Sequence, residues 1–344
     1  MYLTELELRG QFDAVEKTVA ALAASRRELA PILSSTKALC VLGCGSSYSL
    51  AKSAAVQFSQ ITGIPAYAIA AGDLLVNFSS YANMLRGCTL LLLSRSGSTS
   101  EVLRAAERCK AELGCKVLSV CACEQAPAQA LADWSLNLPW AFDEAVCQTR
   151  TVTNLYVAGL GLAYLAGRNE AGLAALHALA GQAKTFCAAP EEALSALAAE
   201  GWTRAVVLAD SGPAGLAEEG ALAFKEICRR DSNHYHLLDV RHGPMVQIGQ
   251  DTLVIALLSS GDRPLQRALL ADLSQRTKHL LVLDCVPEDG AELPGVRISL
   301  PACGPDDVRA VFAIYCIQLL CFHHALVRGV DPDKPEGLDP WIKL

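Results

Sequence analysis

Ser94-Arg95-Ser96-Gly97-Ser98-Thr99 places five hydroxyl or basic residues in six positions. A stretch of this kind leading into a helix suits a phosphate group. Hydroxyls donate hydrogen bonds, glycine lets backbone N–H groups come close, and a helix N-terminus carries partial positive charge. Arg95 would add a full charge. Gly45-Ser46-Ser47 has the same character on a smaller scale. Helix capping alone asks for one Ser or Thr per helix rather than a run. Neither stretch continues into Gly-Lys-[Ser/Thr], so a nucleotide-hydrolysing P-loop is not expected.

A second group of residues could move protons. Glu219 and Glu226 are seven residues apart, which on a helix is two turns along one face. Sixteen residues after Glu226 comes His242, within Arg241-His242-Gly243-Pro244, where Gly-Pro forces a turn and leaves the imidazole on a loop. A carboxylate and an imidazole beside a sugar phosphate can carry protons between carbon and oxygen. Taken singly, Glu226 also reads as a solvated helix position and His242 as a turn residue. His234-x-His236 lacks a third ligand at supporting spacing, and Cys121-x-Cys123 lacks the spacing and second pair of a zinc site. No metal and no cofactor are expected.

The elements that would carry these residues alternate. Apolar residues in roughly the first thirty positions recur at helical spacing and predict one or two opening helices. Residues 38–42 form a short apolar run, then comes the Gly-Ser turn, then an alanine-rich helical stretch; further strands are expected at 89–93, 116–120 and 136–138. Strand–helix alternation of this kind implies a parallel sheet covered by helices on both faces. Residues 41–61 can be laid without a gap on 207–227, and Ser96-Gly97 then finds a counterpart in Ser260-Gly261, as does Leu138-Pro139 in Leu300-Pro301. The expected fold class is therefore α/β with two similar lobes, each a doubly wound, flavodoxin-like parallel sheet. The boundaries expected are N-terminal helices at 1–34, a first lobe at 35–167, connecting helices at 168–199, a second lobe at 200–330 and a proline-rich tail at 331–344.

Composition narrows the function. In 344 residues, 52% are hydrophobic and 19% charged, which supports a large core and excludes a mainly disordered chain. A formal charge of −7 argues against a general nucleic-acid surface. The fourteen cysteines are dilute and sit in apolar patterns, as Cys40, Cys88, Cys316 and Cys321 do, so they read as small buried hydrophobes in a reducing compartment. The N-terminus has acids throughout and no basic-then-apolar leader. No uninterrupted apolar run approaches the roughly 20 residues of a membrane span. A cytoplasmic location with no membrane partner is expected.

Five motifs in order, CGSSY at 44–48, SRSGST at 94–99, VCQTRT at 146–151, EEGALAFKEI at 218–227 and RHGPM at 241–245, resemble tandem sugar-isomerase (SIS) domain proteins. The likeness covers nearly the whole chain. It is to the isomerase half of glucosamine-6-phosphate synthase and to stand-alone phosphosugar isomerases, deaminases and fructosamine-6-phosphate deglycases. The resemblance implies that Ser47, Ser94, Ser96 and Thr99 hold a sugar phosphate, with Arg95, Gly97 and Ser98 completing the loop. Gly45, Ser46, Cys147, Gln148, Glu219 and Lys343 are implied as further substrate contacts. Glu226 falls on the family's C1–C2 proton-transfer base, and His242 on its ring-opening acid/base. That histidine comes from the neighbouring subunit in such proteins, so a homodimer with a shared active site is implied.

Three departures shape the expected activity. No cysteine follows Met1 and no glutaminase domain is seen, so glutamine-dependent amidotransfer is not expected. Arg95 stands where the synthase has glutamine, and Ala223 replaces a lysine of its active-site helix. The synthase's Schiff-base lysine falls on Pro340, with Lys343 three residues beyond. The expectation is an enzyme acting on a 6-phosphorylated amino sugar or fructosamine, by isomerisation, deamination or deglycation. The alternative is a non-catalytic sensor of sugar phosphates.

Overall fold

In the computed structural model, which describes residues 1–286, 290 and 292–338, the chain divides into two compact units. The first comprises Gly10–Glu144 and Gln148–His177; the second comprises Met1–Arg9, Ala145–Cys147 and Ala178–Leu338.

Helix α1 (Leu3–Arg9) belongs to the second unit, and α2 (Gln11–Ala24) and α3 (Arg26–Ser35) to the first. Three helices therefore open the chain where apolar spacing suggested one or two. Gly10 and Ser25 fall at the two breaks.

The first unit continues with β1 (Leu39–Gly43), α4 (Ser46–Thr62), β2 (Ala66–Ala70), α5 (Ala71–Val76), α6 (Phe78–Leu85), β3 (Thr89–Ser94), α7 (Ser100–Leu113), β4 (Lys116–Cys121), β5 (Trp134–Asn137) and α8 (Arg150–Ala166). Its five strands are parallel, in the order β2-β1-β3-β4-β5. Strands β1 and β3 are buried at every position, as expected for the centre of a sheet covered on both faces. One face packs by matched periodicities. Cys40 and Leu42, with Leu90 and Leu92, alternate along the strands and meet Val102, Ala105, Ala106 and Cys109 of α7, which recur at helical spacing.

Helix α9 (Glu170–Phe186) and α10 (Glu191–Ala198) fill the segment expected to hold connecting helices. The second unit then runs β6 (Arg204–Leu208), α11 (Ala214–Glu226), β7 (Asp231–Tyr235), β8 (Thr252–Leu258), α12 (Arg263–Ser274), β9 (Leu280–Asp284), β10 (Val296–Ser299) and α13 (Asp306–Arg328). Its parallel sheet has the order β10-β9-β8-β6-β7. Read from the other edge, that is the strand sequence of the first sheet repeated. Both have the 2-1-3-4-5 order of flavodoxin-like folds. The chain is α/β with two doubly wound parallel sheets.

Two features of the second unit bear on composition-based expectations. Helix α13 is long and apolar enough to cross a membrane by those measures alone, yet 83% of its most apolar window is buried inside the protein. It packs on α10, α11 and α1. His324 on this helix is buried and stacks on Trp202, with ring centroids 3.7 Å apart. Its Nδ1–H donates to the Ala198 carbonyl at 2.7 Å, and its Nε2 accepts from Arg230 Nε at 3.0 Å. Burial, aided by Arg230 and Arg328, pulls its pKa down to about 4. All fourteen cysteines are free thiols, and none is exposed.

Candidate functional site

The run at residues 94–99 leaves the carboxyl end of β3 as a closed turn. The Ser94 hydroxyl accepts the Gly97 N–H at 2.9 Å. The carbonyls of Ser94 and Arg95 both accept from Ala122 N–H, at 3.2 and 3.1 Å, and the Gly97 carbonyl accepts from Ala128 at 3.0 Å. These bonds tie the turn to the strand end of β4. Gly97 has a φ of +60°, and a Cβ there would lie 2.4 Å from the Ala126 Cβ and 2.8 Å from the Cys121 sulfur. Only glycine fits.

Ser96 Oγ accepts from both the N–H (3.2 Å) and the hydroxyl (2.9 Å) of Ser98. Its own proton is thereby left to donate elsewhere. Thr99 takes the N-cap position of α7 but makes no side-chain capping bond. Capping, the plain alternative for these hydroxyls, is therefore not what Thr99 does. Arg95 is buried, with its guanidinium 6.0 Å from the centroid of the Phe142 ring.

The Gly45-Ser46-Ser47 turn stands at the adjacent strand end, since β1 pairs with β3. Gly45 takes φ +53° and ψ −130°, which starts α4 abruptly, and Ser46 and Ser47 are buried in its first turn. No side chain caps α4 either. Beside this turn, the Cys44 thiol receives N–H groups of Ala71 and Gly72 at the start of α5. Burial pushes that thiol up, and the Glu101 carboxylate pushes the same way. Glu101 Oε2 is buried and has no hydrogen-bond partner among the described residues.

A third loop is held from below by a residue that motif reading passed over. Asp143 is buried, and its carboxylate accepts the N–H groups of Thr149 and Thr151 at 2.8 Å each, with Arg150 Nε at 3.6 Å. Burial pushes its carboxyl up, against the pull of those two N–H groups and Arg150. The loop it fixes carries Gln148, whose Oε1 is buried without a partner among the described residues. An aspartate seven residues ahead of a helix gives no periodic signal. It becomes visible only once the turn has closed.

The remaining expected residues lie in the second unit. Glu219 is buried on α11, and Glu226 is the helix's last residue, half-buried. Cys147 and Glu219 both act on the Cys321 thiol, which burial and a hydrogen bond with Cys228 push well up. His242 is exposed on the expected loop; its N–H donates to Asp239 at 2.9 Å, and Gly243, at φ +118°, turns the chain immediately after it. His236 Nδ1 lies 3.1 Å from Asp210 and His234 Nε2 3.8 Å from Glu218. No group of three metal-ligating side chains occurs among the described residues. Lys343 lies outside the described residues.

The structure thus gathers Ser46, Ser47, Ser94, Ser96, Ser98 and Thr99 at neighbouring strand ends of one unit, while Glu219, Glu226 and His242 belong to the other. Residues 32–163, which hold all of the hydroxyl-rich loops, match the family model for the SIS domain.

The chain is 26% identical over 324 residues to the isomerizing glutamine–fructose-6-phosphate aminotransferase of Photorhabdus laumondii, an alignment that covers 90% of this chain and 52% of that protein. It thus spans about half the length of the curated relatives it matches. Among solved structures it is similar to the tagatose-6-phosphate ketose/aldose isomerase of Escherichia coli, with a TM-score of 0.85 and 21% identity, covering 98% and 95% of the two chains. The glucosamine-6-phosphate deaminase of Thermotoga maritima gives a TM-score of 0.79 at 23% identity, covering 99% and 100%. The fold of both units is shared with these two solved structures over nearly their full lengths.

Proposed function

We propose that this protein is a phosphosugar isomerase-type enzyme that binds a 6-phosphorylated amino sugar or fructosamine and moves a proton between its C1 and C2. The phosphate is held by Ser47, Ser94, Ser96 and Thr99, with Ser98 and the N-terminus of α7 around it. The observation that carries this reading is the open N-terminus of α7. Thr99 makes no side-chain cap there, and Ser96 has a hydroxyl proton to give, so a dianion would meet a hydroxyl donor beside the positive end of a helix. Gln148 Oε1, an acceptor lacking a donor among the described residues, suits a sugar hydroxyl or amine.

In this reading His242 opens the sugar ring by passing a proton between the ring oxygen and the anomeric hydroxyl. Its exposure leaves it available to a second copy of the chain, consistent with a shared site in a homodimer. Glu226 takes the proton from one carbon and returns it to the other through an enediol or enolamine. The substituent at C1 or C2 then decides between isomerisation and, where proton transfer leaves an imine that water hydrolyses, release of ammonia or of an amino acid. The relatives named for a ketose/aldose isomerase, a deaminase and an aminotransferase support that class of chemistry.

The test is proton exchange in deuterated water with a panel of hexose and hexosamine 6-phosphates. Solvent deuterium should enter C1 or C2. Glu226→Gln should slow this by roughly 10²–10⁴-fold while leaving phosphosugar affinity nearly unchanged. Tight binding without any exchange would instead make the protein a sugar-phosphate sensor, and an undiminished rate in Glu226→Gln would remove the assigned base.

A further inference from the structure

The second unit has a cavity of its own. It measures about 430 Å³ and opens at the carboxyl ends of β6, β8 and β9, a size that suits a small metabolite. In this sheet β6 pairs with β7 on one side and β8 on the other, so the strand order reverses beside it. Parallel sheets hold ligands at that reversal. The walls come from three loops: Asp210 and Ser211 after β6, Ser259 and Ser260 after β8, and Asp306 and Asp307 at the start of α13.

The chemistry of these walls is the reverse of a phosphate cradle. Three carboxylates and one guanidinium, that of Arg309, line the cavity; Asp306 Oδ2 accepts the Ser260 N–H and hydroxyl at 2.7 Å each, and Asp210 Oδ1 accepts the Leu237 N–H at 3.0 Å. Arg309 is turned to the backbone, with Nε donating to the Gly304 carbonyl at 2.8 Å and Nη1 to the Cys285 carbonyl. The helix starts that line the cavity are those of α11, at Pro213, and α13, at Pro305, while α12 after the Ser259–Ser260 loop is capped by its own Asp262, whose carboxylate accepts the Leu265 N–H at 3.0 Å. Asp306 and Asp307 sit in the first turn of α13, where they oppose its positive end. The carboxylates of Asp210, Asp306 and Asp307 oppose a dianion there. Carboxylates and serine hydroxyls do suit hydroxyl groups and an ammonium, because ionised carboxylates accept the strongest hydrogen bonds from charged donors.

We propose that this cavity is a second binding site, for an unphosphorylated, hydroxyl-rich small molecule that carries a protonated amine. The site uses none of the residues assigned to phosphosugar chemistry and stands or falls independently of that assignment.

The experiment titrates the full chain with glucosamine, followed by ligand-observed NMR and calorimetry, against glucose and glucose 6-phosphate as probes. Glucosamine should saturate with a dissociation constant of about a millimolar or below. Glucose should bind at least about fivefold more weakly, the loss expected without a charge-assisted hydrogen bond. Saturating glucose 6-phosphate should leave the glucosamine isotherm unchanged. Asp307→Asn should weaken glucosamine by about fivefold or more, and Asp307→Lys should abolish it, with circular dichroism reporting the fold of each. If the lysine variant does not fold, the near-isosteric asparagine variant decides. The proposal is overturned by a lack of saturation up to about 50 mM, by equal affinity for glucose, by displacement with glucose 6-phosphate, or by undiminished binding in Asp307→Asn.

Discussion

The loop after β3 and the loop after β8 occupy the same position in two sheets of identical order, yet they finish their helices differently. At α7 the N-cap Thr99 makes no side-chain bond; at α12 the N-cap Asp262 accepts the Leu265 N–H. The turns after β1 and β6 show the same divergence on a shared backbone. Gly45 and Ser211 both have positive φ, at +53° and +59°, but one is followed by Ser46-Ser47 and the other is preceded by Asp210. A duplicated scaffold keeps its backbone geometry more strictly than its charge. The second unit sets Asp262 at the N-cap of α12 and Asp306 and Asp307 in the first turn of α13, where the first unit has Thr99 at the N-cap of α7.

The sharpest way to break this comparison is to write the second unit's cap into the first. Thr99→Asp should hold or slightly raise thermal stability, since aspartate is a good cap, and should weaken phosphosugar binding by about 100-fold or more through like-charge repulsion. Calorimetry with a hexose 6-phosphate reads both affinities; unchanged binding would show that α7 does not receive the phosphate. A second contrast lies in the glycines. Gly97→Ala should cost about 2–4 kcal/mol in denaturant unfolding, because of its left-handed backbone and its two close neighbours. At the counterpart Gly261 an added Cβ would meet only the Ser259 Oγ at 3.2 Å and the Gln266 Nε2 at 3.7 Å, so Gly261→Ala should stay within about 0.5 kcal/mol.

Removing the caps themselves should give a smaller and opposite pair. Asp262→Ala should lose about 1 kcal/mol with phosphosugar affinity intact, whereas Thr99→Ala should lose little stability and weaken binding. Equal stability losses would mean that both residues cap. The smallest expected effect is confined to the second unit. His324 resists protonation until about pH 4 in the fold but takes a proton near 6.5 when unfolded. Its folded pKa is the lower one, so its contribution is complete above about 6.5 and is lost as pH falls from there toward 4. The melting temperature should decline across that window, and His324→Gln should flatten the decline.

Much of the fold was legible because its central strands are continuous apolar runs. β1, β3 and β4 were read from such runs, and the 166-residue offset that superposes 41–61 on 207–227 matches β1–α4 with β6–α11. Of the edge strands, β5 (Trp134–Asn137) was expected about two residues late, at 136–138, while β2 and β7 were not legible. β2 is partly exposed along most of its length, and β7 reads Asp-Ser-Asn-His-Tyr, a sequence whose pairing with β6 rests on backbone bonds and not on side-chain burial. The hydroxyl-rich loops stood out by residue type. Their meaning did not, because a capping hydroxyl and a ligand-binding hydroxyl look alike until the N–H groups are traced. Asp143 shows the same limit from the other side. Its function is to hold Thr149 and Thr151, a relation set by the turn and not by any motif.

The strand ends that receive the phosphate distinguish the two units most directly. A crystal soaked with a hexose 6-phosphate reads this directly. The phosphate should lie within hydrogen-bonding distance of Ser96 Oγ and the first N–H groups of α7. Phosphate density at the Asp210–Asp262 end of the other sheet, with residues 94–99 bare, would contradict it.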